Sequence, residues 1–383
     1  MKRAFSRAFS ILLIGFLAAA GSLFARENGS GEQSRSPFVF DYDVQLFGLQ
    51  LGVGYRGAPI VQGLDTIFWI FGGGGWQQLY YYRYPDGSVY TGTGENDNPA
   101  VDPFYRRANA EWRLGFAQGI LFNEKTDKNL LEYFFFYQGR YDYHFADWEF
   151  TAPILFQADT VPDRYGILQN SFLTGLSLNK VAFNEQSRVT SGIGAEASVE
   201  WGPSFLGNDA VGLSDFARLN LTGKAYLPVF NIAPERRFNL LSGYVCTFVS
   251  LDASFGGSIP LNIRQTFGGR RPRIGLGDAV LGADDAKYDS RFKFVQNIEF
   301  RVNGPAFIWR GLLAGALVFF DYGYYNNLDG LEAGFLASTG FGIYLHIFNL
   351  TSLTLYLPQV LLNEPRSNGR YVTPVSFEFD LQL

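Results

Sequence analysis

The chain has 383 residues and carries 31 Lys and Arg against 36 Asp and Glu, a formal net charge of −5, so it lacks the basic excess that nucleic-acid binding relies on. Aromatic residues make up 17%, with 38 Phe and 22 Tyr, beside 44 Gly and 1 Cys. An internal disulfide is excluded, Cys246 reads as small apolar filler, and beyond the leader no apolar run reaches the ~20 residues of a membrane-spanning helix.

At the amino end Met1-Lys2-Arg3 and Arg7 form a basic head, and Ile11 to Ala20 an apolar stretch too short to span a bilayer. The expectation is a secretory signal peptide over 1–25, cut near Ser22 or Ala25. Strands are then predicted near 47–57, 64–84, 107–121, 130–145, 147–158, 170–183, 188–203, 215–231 and 238–255. The 64–84 stretch reads as one strand or as two broken at Gly72 to Gly75. A long glycine-rich segment over 256–290 follows, then strands near 291–303, 310–323, 335–348, 351–361 and 371–383.

Within these segments the alternation has a consistent chemistry. In Val189 to Trp201 the odd positions Val189, Ile193, Ala195, Ala197, Val199 and Trp201 are apolar, while Glu196, Ser198 and Glu200 share the other face. Lys293, Asn297, Glu299 and Arg301 likewise oppose Phe292, Phe294, Ile298 and Phe300. Taken together the polar faces carry both charge signs, and the apolar faces hold large aromatics in nearly every segment. Charges on such faces suit a hydrated lumen, and aromatics suit a lipid-facing surface. The closing run Val375 to Leu383 keeps the alternation to the carboxyl terminus, with Phe377, Phe379, Leu381 and Leu383 on one face as a closing-strand signal.

The expected fold is therefore all-β: a transmembrane antiparallel β-barrel of sixteen strands, with fourteen possible, and a long loop folded into the lumen. Residues 26–37 form a short periplasmic segment and 38–383 the outer-membrane barrel domain. Tight turns at Asn303-Gly304-Pro305 and Phe348 to Thr351 alternate with longer connections, which puts the carboxyl terminus in the periplasm. Arg264, Arg270, Arg271 and Arg273 make the 256–290 segment cationic and suited to the acidic wall positions Glu196, Glu200 and Glu299.

Other candidates for chemistry are bland. His144 and His346 are far apart in sequence and better suited to girdle or lumen positions than to catalysis. Gly72 to Gly75 lacks the following Gly-Lys-Ser/Thr of a phosphate loop and reads as a site of curvature. Asp86, Glu95, Asp97 and Asp102 lie in a loop that reads as a solvated surface, with Ca²⁺ as the alternative. No metal, no cofactor and no enzymatic activity are expected.

The order and spacing of several short motifs resemble the carboxyl-terminal part of the BamA-like outer-membrane assembly and translocation superfamily, the bacterial surface antigen family. These are Phe267-Gly268-Gly269, Asn297-Ile298-Glu299-Phe300, Phe319-Phe320-Asp321-Tyr322-Gly323 and Ser338-Thr339-Gly340-Phe341-Gly342, with Gln50 to Tyr55 similar to the family's first strand. The chain departs from the family in three ways. No Arg-Gly pair stands in Arg270-Arg271-Pro272-Arg273-Ile274-Gly275, the last residue is Leu383 where Phe is usual, and the short segment before Phe38 leaves no room for POTRA domains.

The resemblance implies a barrel-only member and supplies Asp321 as the wall partner of an inward loop. Arg273 is the first choice for the loop's latch residue, with Arg270 and Arg271 as alternatives. It also implies a role in outer-membrane protein assembly, or in moving polypeptide or lipid through a lateral seam or gated lumen. The alternative is a passive or gated channel. The partners implied are outer-membrane lipid, and unfolded outer-membrane proteins or a separate periplasmic receiving protein.

Overall fold

A computed structural model describes residues 37–45, 48–56, 58–80, 104–123, 128–145, 166–184, 188–232, 241–264, 280–283, 290–306, 312–328, 333–347, 351–362 and 376–381. They form fourteen strands: β1 (Phe38–Gln45), β2 (Gly48–Tyr55), β3 (Thr66–Tyr80), β4 (Phe104–Asn123), β5 (Lys128–Phe145), β6 (Ile167–Asn184), β7 (Val189–Gly202), β8 (Asp215–Asn231), β9 (Ser242–Ser258), β10 (Phe292–Ala306), β11 (Leu312–Asn326), β12 (Ala333–Ile347), β13 (Thr351–Leu362) and β14 (Ser376–Leu381). Apart from one 3-10 turn at Ser204–Leu206, the helical content of the described residues is a single turn, α1 (Leu261–Arg264).

Every strand pairs antiparallel with its neighbours in chain order, in one sheet from β1 to β14. No pairing of β1 with β14 is among the described residues, so the sheet is open at those two edges. Fourteen is the lower of the two expected strand numbers. The stretch over 64–84 holds one strand, since β3 runs unbroken through Gly72 to Gly75 against Gly48 to Leu51 of β2. The expected strand over 147–158 lies outside the described residues, as do most of the leader and the 81–103 loop. One strand was not anticipated: β1 pairs in a tight hairpin with β2, from Phe38 opposite Tyr55 to Gln45 opposite Gly48.

The burial pattern is inverted relative to a water-soluble sandwich. On β2, Leu49, Leu51, Val53 and Tyr55 are all exposed, and Ile70 of β3 is 65% exposed, as is Leu227 of β8. On β10 the inward residues Lys293, Asn297, Glu299 and Asn303 are buried. Apolar atoms exposed in this regular way need a solvent other than water, because leaving a large apolar side chain in water forfeits about 1.5–3 kcal/mol. Glycines make room for cross-strand rings: Phe71 lies over Gly52, Trp112 over Gly139, and Tyr344 over Gly315.

The connections sort into two ends. At the turn end β6 leads to β7, β10 to β11 and β12 to β13 through short links; at the loop end lie the segments 203–214 and 259–291. The first of these folds back onto the sheet. Asn208, fully buried, donates to the carbonyls of Asn170 and Pro203 at 2.9 and 3.0 Å and accepts from the Asn170 amide at 2.5 Å.

Candidate functional site

The inward wall of β10–β12 is built by register. Asn297 of β10 stands opposite Asp321 of β11, which stands opposite Ser338 of β12, and all three are fully buried. One step along, Glu299 faces Phe319, and Phe319 faces Gly340 with its ring beside the missing Cβ. The spaced motifs read from the sequence are thus one polar row and one ring-on-glycine row crossing three strands. A residue's partners two strands away depend on register, which is why the spacing within each motif matters.

Onto this wall folds the described tip of the long loop. Val280 to Ala283 make a compact turn, closed by a hydrogen bond from the Ala283 amide to the Val280 carbonyl at 3.2 Å. Val280 packs with Val295, Tyr325 and Leu336, and Leu281 with Leu317, Phe319, Tyr344 and Tyr356. Gly282, at φ +86°, lies against Pro358 and Val360 of β13, where a Cβ would press on the proline ring at 2.9 Å. The Leu281 amide donates to Asp321 Oδ2 at 3.1 Å. The root of the loop binds the opposite wall: Ile259 and Ile263 pack on Phe216 of β8, and Gln169 of β6 donates to Asn262 Oδ1 at 2.9 Å. The loop is therefore anchored at both ends inside the curl of the sheet.

Below the tip lies a buried ionic cluster. Arg301 Nη2 is 2.6 Å from Glu299 Oε2 and its Nε donates to the same oxygen at 2.7 Å, while the guanidinium lies 5.6 Å from the centre of the Tyr344 ring. Tyr356 Oη reaches Glu299 Oε1 at 3.4 Å, and the Cys246 thiol reaches Oε2 at 3.6 Å. Removing Arg301 would strand the fully buried Glu299 carboxylate without its cation. Asp252 of β9 similarly holds Arg218 of β8 at 2.5 Å and accepts from Asn220.

Across the sheet the inward charges are wetter. Arg140 pairs with Glu111 and, at 2.7 Å, with Asp142; the Arg140 and Glu111 side chains are 22% and 31% exposed. Arg113 stacks 5.5 Å from both Phe71 and Phe136. Glu200 accepts from Gln138 and Ser171.

Of the residues picked from the sequence, Asp321 and Glu299 are on the loop-bearing wall. Arg270, Arg271, Arg273 and Leu383 lie outside the described residues. Phe377, Phe379 and Leu381 are on β14, where Phe379 stands opposite Leu353 of β13. His144 is at the loop end of β5 and His346 at the turn end of β12, so they are not brought together. Among the described residues no group of His, Cys, Asp and Glu suits a metal ion. Sequence reasoning missed the Val280-Leu281-Gly282-Ala283 anchor, although an apolar run inside a charged, glycine-rich segment was a usable signal.

No protein family matches the chain, and no curated protein does. A solved structure does: BamA from Haemophilus ducreyi lacking POTRA domains 1–3, with a TM-score of 0.50 and 12% sequence identity, over 89% of this chain and 63% of that one. The likeness is one of fold. It agrees with the architecture that the motifs lead one to expect, and this chain spans less than two thirds of the length of the protein it matches.

Proposed function

We propose that the protein is an outer-membrane β-barrel of BamA-like type, acting in outer-membrane protein assembly or in the movement of polypeptide or lipid through a lateral seam between β1 and β14. The observation that carries this reading is the loop turn Val280–Ala283 seated on the inward wall, with Leu281 among Leu317, Phe319, Tyr344 and Tyr356 and its amide on Asp321. A wall so covered suits a gated interior, and β1 and β14 are the two strands that have a single neighbour each among the described residues, which makes the line between them the seam. In this reading the exposed apolar face meets lipid, the turn end faces the periplasm, and the loop anchored inside keeps the lumen from being a plain pore. Its partners are lipid and polypeptide clients or a periplasmic protein that delivers them, and it has no catalytic role.

The alternative, a gated channel, draws support from the wetter charges around Glu111 and Arg140. Depletion in cells and conductance in planar bilayers separate the two. An assembly factor lowers the steady-state level of several other outer-membrane proteins on depletion and shows little conductance. Unchanged levels together with steady, ion-selective conductance would establish the channel instead.

A further inference from the structure

Strand β7 breaks its own alternation at its first residues. From Ile193 to Trp201 the odd positions face outward, yet Val189, of the same parity, is 4% exposed and packs with Tyr244, Cys246 and Phe248 of β9. Gly192 is the cause. Its φ of +106° is a conformation that side-chain-bearing residues avoid, and a Cβ there would run into the carbonyl oxygen of Lys180. β7 also parts from β8 at this glycine: pairing between them begins with Gly192 opposite Tyr226, while pairing with β6 continues to Asn184 opposite Val189. The segment, still paired with β6, passes β8 to pack on β9.

There it is fastened. Asn303 Nδ2 donates to the Arg188 carbonyl at 2.8 Å and to Ser242 Oγ at 3.0 Å, and Asn303 Oδ1 accepts from Tyr344 Oη at 2.7 Å. One side chain thus ties the start of β7 to β9, β10 and β12. Arg188 sits at φ +54°, a left-handed conformation that costs free energy in a non-glycine residue unless its surroundings hold it.

We infer that Arg188–Gly192, together with the β6 residues Val181 to Asn184 paired to it, is a strap closing the turn end of the interior, turned inward at Gly192 and latched by Asn303, and that it meets the loop tip only through the shared Tyr344 ring. The inference rests on the barrel reading, since a closure matters only where the interior is a passage. Between strap and loop tip lies the Glu299–Arg301 cluster, so releasing the strap widens access from the turn side to a wall on which Glu299 is fully buried and Arg301 only 16% exposed.

The chain's sole thiol makes the test direct. Cys246 is 1% exposed and belongs to the cluster that Val189 covers. Full-length protein folded in detergent micelles is treated with N-ethylmaleimide, and adduct formation is followed by mass spectrometry. Wild type is expected to react slowly. Asn303→Ala and Val189→Gly are expected to react at least tenfold faster while keeping heat-modifiable migration on gels, and Val280→Ala, in the loop tip and packed on Val295, Tyr325 and Leu336 away from Tyr344, to stay protected. If Asn303→Ala does not fold, Asn303→Asp takes its place, since it removes the donor to Arg188 and keeps the acceptor for Tyr344. Protection of Cys246 in the folded strap variants, or equal exposure in Val280→Ala, overturns the strap. Insertion of wild type into phospholipid vesicles is scored separately: failure there counts against the barrel reading and leaves the thiol result intact.

Discussion

Asp321 shows what one carboxylate does on an inward wall. Fully buried between Asn297 and Ser338, it meets the loop through the backbone amide of Leu281. The need for a partner was legible in the sequence, because an aspartate among Leu313, Leu317 and Phe319 cannot stay ionised alone. The Leu281 amide was not legible, because a donor supplied by a turn leaves no residue-type signature; the arginines expected to pair with Asp321 lie outside the described residues. The apolar side of the contact carries a prediction. Leu281→Ala removes a side chain packed among Leu317, Phe319, Tyr344 and Tyr356, and is expected to cost about 2–4 kcal/mol. Asp321→Ala strands the Leu281 amide and should cost about 1–3 kcal/mol. Urea unfolding in lipid vesicles, with limited proteolysis of the loop in parallel, checks both. Full stability and unchanged protease resistance in the two variants would mean that the tip is not an anchor.

At the scale of the strand, alternation was a good guide wherever the backbone stayed regular. It assigned the inward charges of β7, β8 and β10 and the outward apolar residues of β7 and β8. It failed at Val189, because Gly192 turns the chain over and parity counts residues without seeing φ. It also passed over β1, whose hairpin with β2 has only two residues between the strands. The inverted pattern has a direct consequence. Phe341, near the middle of β12, is 58% exposed and flanked by Val318 and Leu357 on the neighbouring strands. Phe341→Arg is expected to cost about 2–4 kcal/mol in a bilayer. Ser177→Arg, inward on β6 between Glu132 and Glu196, should be tolerated. Equal penalties in vesicle unfolding experiments would contradict the assignment of faces. Ring-on-glycine pairs form a second strand-level device. Gly315→Ala places a methyl against the Tyr344 ring, whose hydroxyl holds Asn303, and overpacking of this kind costs about 1–3 kcal/mol. Faster maleimide labelling of Cys246 in that variant is the expected signature, since the strap loses the far side of its latch. Labelling at the wild-type rate would show that Tyr344 has room to move aside.

For the molecule as a whole, the proposed membrane setting bears first on the two edge strands, β1 and β14. Backbone donors and acceptors that meet lipid unpaired cost several kcal/mol each, so a spanning sheet must close or have its edges covered. Strand number was only partly legible beforehand, because sixteen and fourteen share the same local alternation and differ only in which loops carry extra strands. The closing strand was more legible, since its alternation runs without a break to the carboxyl terminus. Among the described residues β14 pairs with β13 from Thr351 opposite Leu381 to Tyr356 opposite Ser376. Deleting residues 376–383 therefore exposes the backbone of Thr351–Tyr356 along the edge at which the barrel is proposed to close. The truncated chain is expected to be secreted yet fail to insert, running on gels at the same position with and without heating, and to be degraded. A two-residue truncation at Gln382 keeps every described β14 pair and should insert with reduced efficiency. Normal heat-modifiable migration of the longer deletion would show that β13 can form the edge by itself, and the seam would then have to be sought between other strands.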